Sequence, residues 1–586
     1  MNQFSNAVPG VAKATFERDV AKPTFDRGAT ATLDRGIDDV SIGVLQDVGF
    51  GVAVARLSLV AMDALQGSSD ATLQRSGGIG SHVKIKVGSR WLLGSVRDMR
   101  NDDENADHVI VNIDFLGEGD ATALRSFGNF RRGVTAYPRS GDAVIAAVRD
   151  DLAAVFATDA RPHIEIGTVY PTTDVKAALF IDALLSRHFA IVGSTGTGKS
   201  TATALILHRI VAAAPRGHIV MLDPHGEYAK AFAEAGMIFN VDNLALPYWL
   251  MNFAESCEVF VTSEGADGEV EKDILAKCLL ASRMKNPVAD TLPHMTVDSP
   301  VPYAIGDLLS ELQSHMGLLA HADDLPKYLR LKRKIEDILK DSRYNFMFSR
   351  TLANDSMASF LSRILRLDAD GKPISIIDLS GVPSEVVNVV VALLSRVVFD
   401  FAIWSPKATR RPILLVCEEA HRYVPSKAVS GTSSVRDILE RIAKEGRKYG
   451  VSLGLITQRP SDVAEGTLAQ CGTIIAMRLN NSRDQEWVMA TMPEGSHGFL
   501  ETIPALRNRE CIVCGEGVAV PVRMSFDTLA ASKCPASDDP SFSGRWSETG
   551  AMPDLGAIIR DWRSQTVTEP VQVLLQPAGG GMFTKA

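Results

Sequence analysis

Residues 190–201 read AIVGSTGTGKST, an apolar run ending in a glycine-rich loop with Lys199 and Ser200 at its close. No other stretch limits the fold as tightly. The spacing Gly193, four residues, Gly198, Lys199, Ser200 is that of a P-loop, whose backbone N–H groups cradle phosphates. In such a loop the lysine reaches the terminal phosphates and the hydroxyl holds Mg2+. It works only between a strand and a helix N-terminus, and the flanking text supplies both: residues 188–192 before it, TATALILHRIVAAA after it. The expectation is ATP bound by Gly193, Ser194, Thr195, Gly196, Thr197, Gly198, Lys199, Ser200 and Thr201, with Ser200 on the magnesium.

The text on either side sorts into few kinds. Residues 40–169 are short period-2 runs separated by glycine, among them HVKIKVGSRWLLGSVRDM, HVIVNIDFLGEG and HIEIGTVY, which predict a small β-barrel. After the P-loop helix, HIVMLDPHGEYAKAF predicts a buried strand whose end carries Asp223, His225 and Glu227, near the phosphates. Residues 255–365 are helical text, and Lys327, Arg330, Lys332, Arg333 and Lys334 make its second half basic, either a solvated face or a nucleic-acid contact. PISIIDLSGVP, RPILLVCEEAHRYVP, VSLGLITQRP and TIIAMRL then alternate with helices, which implies a mainly parallel sheet covered on both faces.

The predicted organisation is a flexible arm (1–37), a barrel (38–170), an α/β core in two parts (171–254 and 366–525) interrupted by a helical subdomain (255–365), and a C-terminal extension (526–586). The arm holds a weak echo, TFERD at Thr15, TFDRG at Thr24 and TLDRG at Thr32, too short to bury a core of its own.

Charge and composition exclude some roles. With 61 basic and 70 acidic residues the net charge is −9, so no global positive field draws nucleic acid, and any such contact is confined to a local patch or a ring lumen. The most apolar run, 385–404, is broken by Asn388, Arg396 and Asp400, which predicts a buried helix and no membrane span. Seven scattered cysteines and an N-terminus without the apolar core of a signal peptide suit a cytoplasmic protein. Cys511 and Cys514 form one CxxC in an apolar alternating run, with no second pair or nearby histidine to complete a metal site; the pair reads as strand.

Hydrolysis requires more than a P-loop. In ILLVCEEAH four apolar residues lead to Glu418 and Glu419 at a strand end, the place of a Walker B motif. There Glu418 would hold Mg2+ through its water shell and Glu419 would orient the attacking water. Walker B usually begins with aspartate, so the division of roles between the two glutamates stays open. Gln458, ending the next strand, is placed to sense the γ-phosphate or the water. Arg447, closing the helix KEGRKYG, is the candidate arginine finger for a neighbouring copy, with Arg441, Lys448 and Arg459 as rivals.

Together GSTGTGKST with the preceding His188, DPHGEY, CEEAHRYVP, EGRKYG and TQRPSDV resemble the HerA family of ring translocases, in the same superfamily as FtsK. The resemblance spans roughly residues 38–525. It implies an N-terminal β-barrel followed by a RecA-like motor core with a helical insertion. It further implies a homohexamer that hydrolyses ATP at subunit interfaces and pulls double-stranded DNA through its channel. Because bacterial members are often paired with a nuclease or a sirtuin-like NADase in antiphage defence, the resemblance also implies such an effector partner. Two other readings stand beside it: an ATP-gated scaffold ring that activates a partner enzyme without processive movement, and a type IV secretion-like ATPase. The absence of a predicted membrane segment and the β-rich N-terminal part weigh against the last.

Overall fold

Glycine-punctuated alternation lets a short sheet curl until its edges meet, and the chain uses it between residues 41 and 146. A computed structural model describes residues 40–123, 125–158, 160–317, 324–367, 371–427, 432–492, 498, 501–536, 542–547 and 554–564. The echo at Thr15, Thr24 and Thr32 lies outside the described residues.

The strands are β1 (Ser41–Val48), β2 (Val52–Ser58), β3 (His82–Val87), β4 (Arg90–Asn101), β5 (His108–Ala121), β6 (Phe127–Arg132) and β7 (Ala143–Ala146). They pair in the order β2-β1-β7-β3-β4-β5-β6, and β2 also pairs with β5, so six strands close into a barrel with β6 attached outside the ring. Closure needs strands that bend. β4 and β5, the longest pair, shift register at Leu93/Gly94 and Val96/Asp98, as bulges that turn a barrel corner do. A Cβ on Gly94 would run into the Ile113 side chain, so the bend has room only for glycine. Val83, Ile85, Val111, Ile113 and Val144 fill the interior as a hydrophobic cluster of their own.

The remaining strands are β8 (His163–Val169), β9 (Lys176–Phe180), β10 (Phe189–Val192), β11 (Ile219–Asp223), β12 (Gly236–Phe239), β13 (Ile374–Asp378), β14 (Ile413–Cys417), β15 (Val451–Thr457), β16 (Thr473–Met477), β17 (Glu510–Gly515) and β18 (Val522–Phe526). They form one sheet in the order β12-β13-β11-β14-β15-β10-β16-β17-β18-β8-β9. From β12 to β16 the pairing is parallel; from β16 to β9 it is antiparallel. β10, β11, β14, β15 and β16 are buried along their whole length, as helices on both faces of a parallel sheet require.

One expectation is corrected here. HIEIGTVY, read with the barrel, is β8 and joins the large sheet beside β18. Its alternation fits either sheet equally, and only its pairing partner, more than 350 positions away in the chain, decides between them. Cys511 and Cys514 do lie in a strand, β17, and both are buried.

Between β12 and β13 the chain makes helices Phe253–Phe260, Gly265–Met284, Ile305–Gly317, Leu325–Lys340 and Met357–Leu365. Four of the six basic residues on Leu325–Lys340 have a carboxylate partner within this insertion: Lys327 meets Asp324 at 2.9 Å, Arg330 meets Glu271 at 2.6 Å, Lys332 lies 3.9 Å from Glu336 and Lys340 lies 3.8 Å from Asp337.

The insertion is tied to the core by buried charge. Arg396, midway along the apolar helix Val387–Trp404, pairs with Glu255 at 2.8 Å and with Asp400 at 3.1 Å. That helix is the one among the described residues long and apolar enough to cross a membrane, and 67% of it is buried inside the structure.

The described residues up to Ala536 form one compact unit. Within it, the segment after β18 returns to the end of β11, where the Ala536 N–H donates to the Glu227 carbonyl at 2.9 Å. The helices Phe542–Ser547 and Leu555–Ser564 belong to a second unit and expose Trp546, Leu555 and Trp562.

Candidate active site

β10 lies between β15 and β16, and its apolar residues carry the chain to the carboxyl edge of the sheet before the loop begins. Gly196 (φ 76°) and Gly198 (φ 102°) take left-handed backbone, which turns the loop back on itself, and the helix Lys199–Ala213 starts at once. Gly193 packs so tightly on the neighbouring strand that a Cβ would stand 2.8 Å from the Met477 Cβ. The Ser194 N–H donates to the Arg478 carbonyl at 2.8 Å, and its hydroxyl accepts from the Asn480 N–H at 3.1 Å. The Lys199 ammonium folds onto the Ser194 carbonyl at 3.2 Å, inside the loop it closes. A helix N-terminus thus faces a glycine-lined hollow, a ready anion site.

β14 delivers the carboxylates. Glu418 is 4% exposed, and Glu419 directly after it adopts φ 52°, a left-handed conformation that costs a residue with a Cβ about 1–3 kcal/mol. Burial pushes Glu418 well above the usual carboxylate range, and the charge of Glu419 adds to this while Lys199 opposes it. Lys199 in turn is lowered by burial and drawn back up by Glu418, Glu419 and Glu227. The two glutamates and the lysine therefore share one water-poor space.

Two carboxylate oxygens there are buried without an aligned hydrogen-bond partner, Glu418 Oε2 and Glu419 Oε2. Glu419 Oε2 does lie 3.2 Å from His421 Nδ1, a close contact whose angle falls short of a hydrogen bond. Among the described residues there is no cluster of three His, Cys, Asp or Glu side chains that could hold a metal by itself. Magnesium at a P-loop does not need one: it takes a hydroxyl and a carboxylate from the protein and the rest from phosphate oxygens and water. Ser200 with the unsatisfied Glu418 fits that cation.

The other residues read from sequence divide in two. Gln458, at the end of β15, accepts a hydrogen bond from Thr195 Oγ1 at 2.5 Å and so belongs to the loop. Asp223 does not face the hollow freely, because its carboxylate accepts the N–H groups of His225, Gly226 and Tyr228 at 3.2, 2.9 and 2.9 Å and holds the turn after β11. Glu227 reaches the electrostatic neighbourhood of Lys199, whereas His225 is exposed.

Arg447 stands apart. It closes the helix Ser433–Tyr449 just before β15 begins, at the amino edge of the sheet, where it borders an apolar hollow with Gly217, Pro412 and Val451. β15 spans seven residues between that edge and Gln458, roughly 20 Å at strand rise. Among its rivals, Arg441 lies over Phe399 and 3.6 Å from Glu445, Lys448 lies over Tyr449, and Arg459 is 3.7 Å from Asp462. Arg447 is exposed and has no side-chain partner among the described residues.

The family model described as the central domain of helicase HerA matches residues 164–398, which include the P-loop, the turn after β11 and the helical insertion. The chain is 27% identical over 486 residues to the DNA double-strand break repair helicase HerA of Pyrococcus furiosus, covering 75% of this chain and 83% of that protein. The matched central region is that of a HerA-type ATPase.

A second HerA relative, the DNA double-strand break repair helicase of Sulfurisphaera tokodaii, is 24% identical over 439 residues, 72% of this chain and 80% of its own. Among solved structures the chain is similar to VirB4 of Thermoanaerobacter pseudethanolicus, at 16% identity and a TM-score of 0.45, over 64% of this chain and 99% of that one.

His188, the residue before the P-loop strand, has a structural task. Its Nδ1 accepts the Leu453 N–H at 2.9 Å, so Nε2 carries the proton and donates to the Ala443 carbonyl at 3.0 Å. Burial lowers its pKa and keeps this neutral form. One ring at the start of β10 thus joins β15 and the helix Ser433–Tyr449. His188→Ala leaves the buried Leu453 N–H unpaired, at about 1–3 kcal/mol, and removes the second hydrogen bond to the Ala443 carbonyl. The expected result is a thermal midpoint several degrees lower; an unchanged midpoint would show that water replaces the ring.

The residue that sequence reasoning left without a role is Thr457. Its Oγ1 lies 3.2 Å from His421 Nδ1 and links β15 to the segment after β14.

Proposed function

We propose that the chain is an ATP-driven motor that moves double-stranded DNA through a ring of six copies and works with a separate effector enzyme. The observation that carries this reading is the division of the site. Lys199, Glu418, Glu419 and Gln458 gather at the carboxyl edge of the sheet, while Arg447 stands exposed at the amino edge, without a side-chain partner among the described residues. An arginine on the edge opposite its own P-loop is placed to serve a neighbouring copy, an arrangement that a ring of copies supplies at every interface.

In the proposed site the P-loop N–H groups and Lys199 hold the β- and γ-phosphates of ATP, and Ser200 and Glu418 hold Mg2+. The cation, once bound, neutralises charge on the phosphate oxygens. Glu419 orients the water, Gln458 reports the γ-phosphate to Thr195, and Arg447 of the adjacent copy stabilises the departing charge. That two HerA relatives are named DNA double-strand break repair helicases supports DNA as the track. With a net charge of −9 per copy, DNA contact falls to basic residues of the lumen.

A nuclease or a sirtuin-like NADase is the effector class this reading expects, acting in a cytoplasmic antiphage system. The decisive measurement is ATP turnover with and without duplex DNA. Stimulation that disappears in Lys199→Ala supports the motor; equal turnover in both conditions, with no translocation of labelled duplex, removes it.

A further inference from the structure

Glu419 and His421 belong to one turn of backbone. Glu419 leads into the short helical turn Ala420–Arg422, and its carbonyl accepts the Arg422 N–H at 2.9 Å, which fixes the spacing of the two side chains. The residues that follow are stitched to the segment after β15: the Ala464 N–H donates to the Val424 carbonyl at 2.8 Å, and the Ser426 N–H to the Asp462 carbonyl at 2.7 Å. His421 is thereby laid against the end of β15. Its Nδ1 lies 3.2 Å from Thr457 Oγ1 and 3.2 Å from Glu419 Oε2, and the ring and the carboxylate are only 17% and 12% exposed.

One nitrogen between two oxygens decides the tautomer. Were Nδ1 bare, its lone pair would face a carboxylate oxygen that is itself buried without an aligned partner, an uncompensated repulsion where little water screens it. With the hydrogen on Nδ1, Thr457 Oγ1 accepts it and Glu419 Oε2 is drawn to the same edge of the ring. Thr457 has the capacity for this. It is fully buried, takes the Arg459 N–H at 3.0 Å on one lone pair, and keeps a second for the histidine. Neutral or charged, the ring then presents an N–H to Glu419.

We propose that His421 is a positioning residue for Glu419: its Nδ1–H, shared between Thr457 and Glu419 Oε2, holds the carboxylate in the place where it meets the attacking water. The inference rests on the reading of Glu419 as the residue that orients that water. A carboxylate offers about four lone-pair sites, so one donor from behind leaves the others for water. Thr457 anchors His421, and Gln458 beside it accepts from Thr195 of the P-loop. Two consecutive residues at the end of β15 thus set the places of the water-orienting group and the phosphate loop.

The test compares two amides at position 421 in the full chain. In His421→Asn the side-chain nitrogen can donate from close to the place of Nδ1; in His421→Gln the amide sits one bond further out, toward the place of Nε2. Single-turnover hydrolysis of labelled ATP, with protein in excess, reads the chemical step, and equilibrium binding of a non-hydrolysable ATP analogue reads the ground state. His421→Gln should hydrolyse about 10–100-fold more slowly at unchanged affinity, the loss typical when the partner behind an active-site ligand is removed. His421→Asn should stay within a few-fold of the unaltered protein. In a Glu419→Gln background His421→Gln should add no further loss, because a residue that acts through another has nothing left to act on.

Equal rates in His421→Asn and His421→Gln overturn the proposal, since the place of the donor would then not matter. So does a loss in His421→Gln that multiplies with that of Glu419→Gln, which makes His421 a prop of the turn 420–422 independent of the carboxylate. If Glu419→Gln alone hydrolyses at the normal rate, it is the assignment of Glu419 that fails and the inference falls with it, a result separate from both His421 variants.

Discussion

Glu419→Gln is expected to bind ATP as before and to hydrolyse it about 10²–10⁴-fold more slowly, the range that a positioned carboxylate base contributes. The amide keeps the size and shape of the side chain and removes its charge. Glu419 sits at φ 52°, a conformation that swings it away from the line of β14, and its Oε2 is buried 3.2 Å from His421 with no aligned hydrogen bond. A strained carboxylate with an unused oxygen is set up to hold something absent from the free protein, and a water beside the γ-phosphate fits.

Equilibrium binding of labelled ATP and single-turnover hydrolysis in the same preparation separate the two effects. Should Glu419→Gln turn over at the normal rate while Glu418→Gln does not, the two glutamates exchange roles. The glutamate in place of the usual Walker B aspartate leaves that exchange open on sequence grounds.

Arg447→Ala carries the second large effect. A uniform population of this variant should lose about 10³–10⁵-fold in turnover, the contribution of an arginine finger. Mixed with Lys199→Ala subunits it should recover part of the activity. In a mixed ring some interfaces join an intact P-loop on one subunit to an intact arginine on its neighbour. Roughly 20 Å of β15 separates Arg447 from the loop edge of its own sheet, so rescue inside one chain is geometrically closed. Activity of the mixture measured against its composition decides the matter: no recovery at any ratio places Arg447 in the structure of its own subunit.

Much of the site was legible because its information is local. A P-loop needs an apolar strand, left-handed glycines and a helix start, and Gly196, Gly198 and Lys199 occupy those places with the dihedral angles their spacing demands. Glu418 was legible for a similar reason, since four apolar residues before it place it at a strand end in any parallel sheet. Asp223 shows the limit. It too ends a buried strand, but three N–H groups of its own turn consume its carboxylate, and Glu227 four residues later is the one that reaches Lys199. No periodicity distinguishes a carboxylate that holds a turn from one that faces a ligand.

Residues 163–169 mark the same boundary at the level of the fold. Alternation identified the strand, and pairing with β18 put it in the large sheet. The amino-acid sequence alone determined the nucleotide-binding chemistry, the α/β alternation and the buried fate of the 385–404 helix, because each depends on neighbours within a few turns of chain. Only the tertiary structure decided that Asp223 is consumed by its own turn, that one carboxylate oxygen of Glu418 is buried without an aligned partner, and that Arg447 lies at the edge of the sheet opposite its own P-loop. Those facts depend on hydrogen bonds and distances in the folded chain, the last two between segments tens to hundreds of residues apart. Such contacts are chosen by packing, which a linear pattern does not record.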